Sequence, residues 1–189
     1  MNVVQTNRQL RPQTGFTLLE LFAVMVIVAI LTLVTLPSFL DVQDKVQTSA
    51  VKINMRTLQI AAETYASDHG GIYPSCPPTG QMNDEFSSYF AGGSSGNKPL
   101  KPGHPPVNPF TNRAQWSNFR SFAIDSIATE RNKIPGTFSP GGNNAGLIGY
   151  ANPKDTGSAS YAIEGTDKHG IALGDLSPHK SLVLSSQQP

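Results

Sequence analysis

Between Leu21 and Leu40 this chain carries no charged side chain, and Glu20 is the only ionisable group between Arg11 and Asp41. An apolar run of about 20 residues is long enough to cross a bilayer as a helix. Residues 1–15 are polar and hold Arg8 and Arg11 but no acid. An excess of arginine on that flank predicts a cytoplasmic N-terminus and a C-terminal part outside the cytoplasm. The glutamate is the difficulty, because an acidic residue deep in a membrane helix costs roughly 2.5–3.5 kcal/mol.

Three readings compete for such a segment. A cleavable secretory signal has a shorter apolar region and a small-x-small cut site, whereas this run ends in Leu36-Pro37-Ser38-Phe39-Leu40. A plain signal anchor fits the length but leaves Glu20 and the Gly15-Phe16 junction without a reason. The third reading rests on Gly15-Phe16-Thr17-Leu18-Leu19-Glu20, which follows a short basic leader and precedes a proline, Pro37, near the end of the run.

That combination resembles the processing site of type IV pilins and type II secretion pseudopilins. The resemblance implies a prepilin with leader 1–15, cut after Gly15 by a membrane prepilin peptidase and N-methylated on Phe16. It also implies a structural subunit that forms a polymer with other pilin-like chains. Assembly would run from the inner membrane, through an assembly platform and its ATPase, into a surface pilus or a periplasmic pseudopilus.

Cleavage would create an ammonium on Phe16, about 6 Å along the helix axis from Glu20. The carboxylate would lie in the first turn, where the helix dipole favours negative charge. In a filament it could meet the ammonium of a neighbouring helix and so fix the register of assembly, since an unpaired buried charge is costly. An interfacial Glu20 that snorkels to the membrane edge is the plainer alternative.

Apolar periodicity continues past Asp41 through Val42, Val46, Ala50, Ile53, Leu58, Ala61, Ala62 and Tyr65 at steps of three and four. Gly70-Gly71 then supplies a stop. The expected stem helix spans 16–69, transmembrane over 16–40 and amphipathic beyond, with a kink at Pro37. The resemblance adds that this region loses helicity on filament packing.

Residues 70–189 read as an exported, loop-rich head. Asn83–Phe90 is expected as a short helix turning Phe86, Tyr89 and Phe90 inward. Leu147–Ala151, Ser160–Glu164, Ile171–Leu173 and Ser181–Leu184 read as short strands bounded by turn residues. Phe119–Ile124 suits a strand or a helix. The fold class is therefore α+β: a long stem helix against a small antiparallel sheet of three or four strands with long loops, the layout of the pilin fold. Gly71-Ile72-Tyr73-Pro74 and Asn108-Pro109-Phe110 are similar to further conserved-type positions of that family.

Major pseudopilins hold calcium in their last loop, and the nearest acids here are Asp167 and Asp175. Their spacing does not form a recognisable calcium loop and Lys168 intervenes, so no metal or other cofactor is assigned. Enzyme motifs are absent: the sequence has no GxSxG, HExxH, P-loop or GxGxxG pattern. His69, His104, His169 and His179 are read as exposed turn residues, and Cys76, the single cysteine, as a small packing residue or an intermolecular thiol.

Two rivals stay open, a signal-anchored binding or sensor protein that never polymerises and a DNA-uptake minor pilin. Loss of the leader takes two arginines and moves the formal charge from +1 to −1. That argues against strong DNA binding except through a local patch of Lys98, Lys101, Arg113, Arg120 and Arg131.

Overall fold

A computed structural model describes residues 15–75, 84–94, 101–136, 145–175 and 180–186, without the side chains of Pro37 and Ser38. Cys76 and His179 lie outside the described residues, as do Arg8 and Arg11. The chain divides into two compact units, Met1–Val42 and Gln43–Pro189.

Helix α1 spans Leu18–Asp68, two residues shorter at its start than the sequence suggests. In the first unit every described side chain from 15 to 36 is exposed. The helix is long and apolar enough to cross a membrane. The two threonines of its apolar part do not break that character, because Thr32 Oγ1 donates to the Val28 carbonyl at 2.7 Å and Thr35 Oγ1 to Leu31 at 3.1 Å. Such internal bonds satisfy hydroxyls where no water is present. The helical assignment runs through Pro37 without interruption.

The second unit begins on the same helix. Val51, Met55, Leu58, Ala61, Ala62 and Ala66 are buried, while Val46, Ile53 and Ile60 are exposed. The expected apolar stripe is thus corrected: its members belong to two faces, one covered by the head and one bare. Gly70 and Gly71 adopt positive φ. The Gly71 amide donates to the Ala66 carbonyl at 2.8 Å, a Schellman closure that ends α1.

Helix α2, Asp84–Ser87, brings Phe86 and Phe90 into the core, with Tyr89 half-buried. Strands β1, Val107–Asn108, and β2, Arg113–Ala114, form an antiparallel hairpin. The main sheet has four strands in the order β3–β4–β5–β6: Phe119–Ser121, Ile148–Ala151, Ala162–Gly165 and Leu184–Ser185. Helix α3, Ile127–Arg131, lies between β3 and β4 in sequence.

The expectation of a purely antiparallel sheet fails at one pair. β3 and β4 are parallel, with Phe119 opposite Ile148 and Ser121 opposite Tyr150. A parallel pair needs a long crossover connection, and the segment carrying α3 supplies it. The other two pairs are antiparallel. Ile171–Leu173 contributes a bridge, Thr166 to Ala172, rather than a full strand, while Ser181–Leu184 gives a bridge from Ser181 to Gly174 and, at Leu184, the start of β6.

Side-chain alternation along β4 and β5 assigns two cores. Ile148, Tyr150, Tyr161 and Ile163 cluster with Val51, Met55 and Leu58 of α1. Ala151 and Ala162 face the other way, with Ile124, Ile127 and Val183. Gly165 is dictated by the first contact, since a Cβ there would stand 2.6 Å from Met55 Sδ and 2.8 Å from Val51 Cγ1.

Candidate functional site

The junction singled out by the sequence sits at the start of α1. Gly15, Phe16 and Thr17 lie outside the helix and are exposed, Phe16 at 87%. Thr17 is the residue before the first helical turn, and its side chain is reciprocally bonded to Glu20. The Glu20 backbone N–H donates to Thr17 Oγ1 at 3.2 Å. In return Glu20 Oε2 accepts from the Thr17 backbone N–H at 2.9 Å and from its hydroxyl at 3.0 Å. This is a capping box, S/T-x-x-E, which satisfies donors that a helix start leaves open.

The box gives Glu20 a partner inside its own chain, which the reading from sequence missed. The signal was present: Thr17-Leu18-Leu19-Glu20 is the capping-box pattern just before an apolar run.

Gly15 stands in a different position from Gly165. A Cβ built on it meets no atom within 4 Å, and its φ lies outside the left-handed range. Nothing in the described backbone around it calls for glycine there.

Pro37 stays within α1. The two other family-like segments have structural duties. Tyr73 donates its hydroxyl to Glu63 Oε2 at 3.0 Å and its amide to the Ser158 carbonyl at 2.9 Å. Asn108 is buried; its Oδ1 accepts from the Phe110 amide at 2.9 Å and its Nδ2 donates to the Ala145 carbonyl at 2.8 Å.

Asp167 and Asp175 are not brought into a common metal-holding group among the described residues. Asp167 Oδ1 caps its own turn, accepting from the His169 and Ile171 amides at 2.8 and 2.9 Å. Among the described residues no group of three or more His, Cys, Asp or Glu is arranged to hold a metal ion. Of the basic residues considered for DNA, Arg131 donates to the Ser185 hydroxyl at 2.8 Å, and Lys98 lies outside the described residues.

His104 and His169 are exposed, but His69 corrects its assignment as an idle turn residue. Its ring stacks on Tyr65 with centroids 3.9 Å apart. Nδ1 lies 2.8 Å from the Tyr65 carbonyl and Nε2 lies 3.2 Å from Glu85 Oε1. The carbonyl bond first, then Glu85, pushes the imidazole pKa up against the opposing effect of burial. The ring closes the end of α1 onto α2.

Comparison with protein-family models, characterised proteins and solved structures returns no match for this chain.

Proposed function

We propose that this chain is a pilin-like structural subunit, processed between Gly15 and Phe16 and polymerising through its N-terminal helix. The observation that carries the reading is the junction itself: an exposed, non-helical Gly15-Phe16 bond immediately before a capped apolar helix. Among the described residues nothing in the conformation requires glycine at 15, which is compatible with an external reader such as a processing protease. The exposed apolar surface of residues 18–36 calls for lipid first and for other such helices after assembly.

On this reading the chain starts in the inner membrane with its head outside the cytoplasm. It then joins a surface pilus or a periplasmic pseudopilus by way of a prepilin peptidase, an assembly platform and an ATPase. Its work is structural, with no catalytic residues. Glu20 holds the Thr17 cap in the single chain and exchanges it for the Phe16 ammonium of a neighbour on assembly.

One observation favours a second reading, a signal-anchored protein that stays in the membrane. The Glu20 carboxylate already accepts two bonds from Thr17, so it needs no partner chain to be retained. Intact-mass measurement of the protein from native membranes separates the two. Subunit processing gives a chain beginning at Phe16 with one added methyl group; an unprocessed N-terminus, or a cut elsewhere, refutes the pilin reading.

A further inference from the structure

Two clefts meet at Arg56 and run into one another. The first, of about 480 Å³, is lined by residues 181–185 together with Arg131 of α3. The second, also about 480 Å³, continues past Lys52, Ile53 and Gly174. Both include Arg56, Asp175, Leu182 and Leu184, so they form one groove between α1 and the end of the sheet. Val183 packs with the Ile124 core and Leu184 against the Met55 core. A cleft that touches five consecutive residues, from both faces, runs along the edge of a strand. β6 is that edge, the last in the order β3–β4–β5–β6.

The groove is basic. Lys52, Arg56 and Lys180 line it and are exposed, and Arg131 is half-buried in its wall. Among the described residues neither Lys52, Arg56 nor Lys180 forms an ion pair. Arg56 Nη1 donates to Gln59 Oε1 at 3.0 Å, which steadies the guanidinium and leaves it further N–H groups for a ligand. Asp175 is the one acid among the described lining residues. This local excess of cations sits in a chain whose formal net charge is only +1, so the groove itself attracts an anion. Its floor is apolar, with Leu182 and Leu184 half-buried and Ile53 exposed.

We propose that this groove takes an extended acidic segment of a partner protein, with carboxylates at alternate positions. Lys52 and Arg56 stand about 6 Å apart along α1, four residues of helical rise. Two residues of extended chain advance about 7 Å, and their side chains face the same way. An acid-x-acid pair therefore sets one carboxylate against each cation, in charge-assisted bonds, with the aliphatic stems of the acids over Leu182 and Leu184. An extended peptide laid along a sheet edge is an established mode of recognition. A second copy of this chain does not supply the segment, because its thirteen acidic residues include no acid-x-acid pair. Single-stranded nucleic acid fits less well: it stacks its bases on aromatic rings, and the described lining has none.

Fluorescence anisotropy of the full chain in a non-ionic detergent, with labelled acetyl-Thr-Glu-Val-Glu-Val-Glu-Thr-amide, tests this. Saturable binding is expected in about 0.05 M salt, weakening about tenfold or more in about 0.5 M salt as the charges are screened. A peptide with glutamine for glutamate, and one with its glutamates contiguous, should each bind about tenfold more weakly or worse. Lys52→Glu and Arg56→Glu change exposed residues, so the fold should survive, as circular dichroism checks, while affinity falls by about tenfold or more. Arg113→Glu, exposed on β2 and outside the groove, makes the same change in net charge and should leave affinity intact. Absence of saturable binding, equal binding of the contiguous peptide, full affinity in either groove variant, or an equal loss in Arg113→Glu would each overturn the proposal. So would tighter binding of a thymidine oligonucleotide, or displacement of the peptide by equimolar succinate.

Discussion

The phenol of Tyr161 donates to Glu63 Oε1 at 2.6 Å, while the other oxygen of the same carboxylate accepts from Tyr73 at 3.0 Å. One glutamate of α1 thus holds both the segment leaving the helix and the segment entering β5. Tyr161 is fully buried; burial first, then its bond to Glu63, pushes its pKa upward, so it remains a donor at any ordinary pH. Glu63→Ala should destabilise the head by on the order of 1–3 kcal/mol, the cost of losing the partner of a buried hydroxyl. Tyr161→Phe should cost less, because the ring contacts survive. Urea unfolding of the full chain in detergent measures both, and a Glu63→Ala midpoint equal to wild type would remove the clamp from the account.

Thr17 and Glu20 can be separated by experiment. Thr17→Val removes the hydroxyl but keeps the charge at 20, whereas Glu20→Ala removes the charge. If Glu20 pairs with a neighbour's terminus, filaments counted by electron microscopy should fail in Glu20→Ala and persist in Thr17→Val. If the carboxylate serves only the cap, both variants lose the same order of about 1 kcal/mol in helix stability and behave alike in assembly.

The two faces of α1 in the second unit make opposite predictions. Met55→Ala opens the core between α1 and β5 and should cost about 2–5 kcal/mol. Ile53→Lys and Ile60→Lys lie on the bare stripe and should change stability by less than about 0.5 kcal/mol. On the polymerisation reading those same lysines block assembly. Filaments of normal length from the double lysine variant would assign that stripe elsewhere.

His69 predicts a pH dependence with a definite sign. Its pKa is raised by the Tyr65 carbonyl and Glu85, so the folded chain holds the proton more tightly than the unfolded one. The added stability is fully present below the ordinary histidine value near 6.5 and is lost as pH rises through the higher folded value. His69→Gln should flatten the thermal midpoint across that window; an unchanged slope would place the effect on another group.

Glu164 acts in a neighbouring window. Its folded value of about 7 stands above the ordinary 4.5, so the folded state retains a proton that the unfolded chain releases. Stability should therefore fall as pH rises from about 4.5 to 7, and Glu164→Gln should remove that fall. The midpoint-against-pH curve of this variant, compared with that of His69→Gln, assigns each segment to its residue.

Much of this architecture was readable from residue pattern. The apolar helix, its glycine stop, the short aromatic helix and the strands around Tyr150 and Ile163 follow from periodicity and turn residues. The faces of the second half of α1 did not, because Val46 and Ile53 are as apolar as Val51 and Met55. Only the sheet decides which set is covered. The parallel β3–β4 pair was equally hidden, since Phe119–Ile124 suits helix or strand and pairing direction depends on the crossover. At the candidate junction the capping box was legible in Thr17 and Glu20. The Glu63–Tyr161 bond was not, because those residues lie 98 positions apart and meet only when the sheet packs on α1.

The bond between Glu63 and Tyr161 spans 98 residues, and a chain grows from its N-terminus. Val51, Met55 and Leu58 are therefore synthesised long before Ile163 exists to cover them. For that interval the second half of α1 is a sticky surface waiting for its lid, and whatever shields it then decides how much of the protein survives to fold.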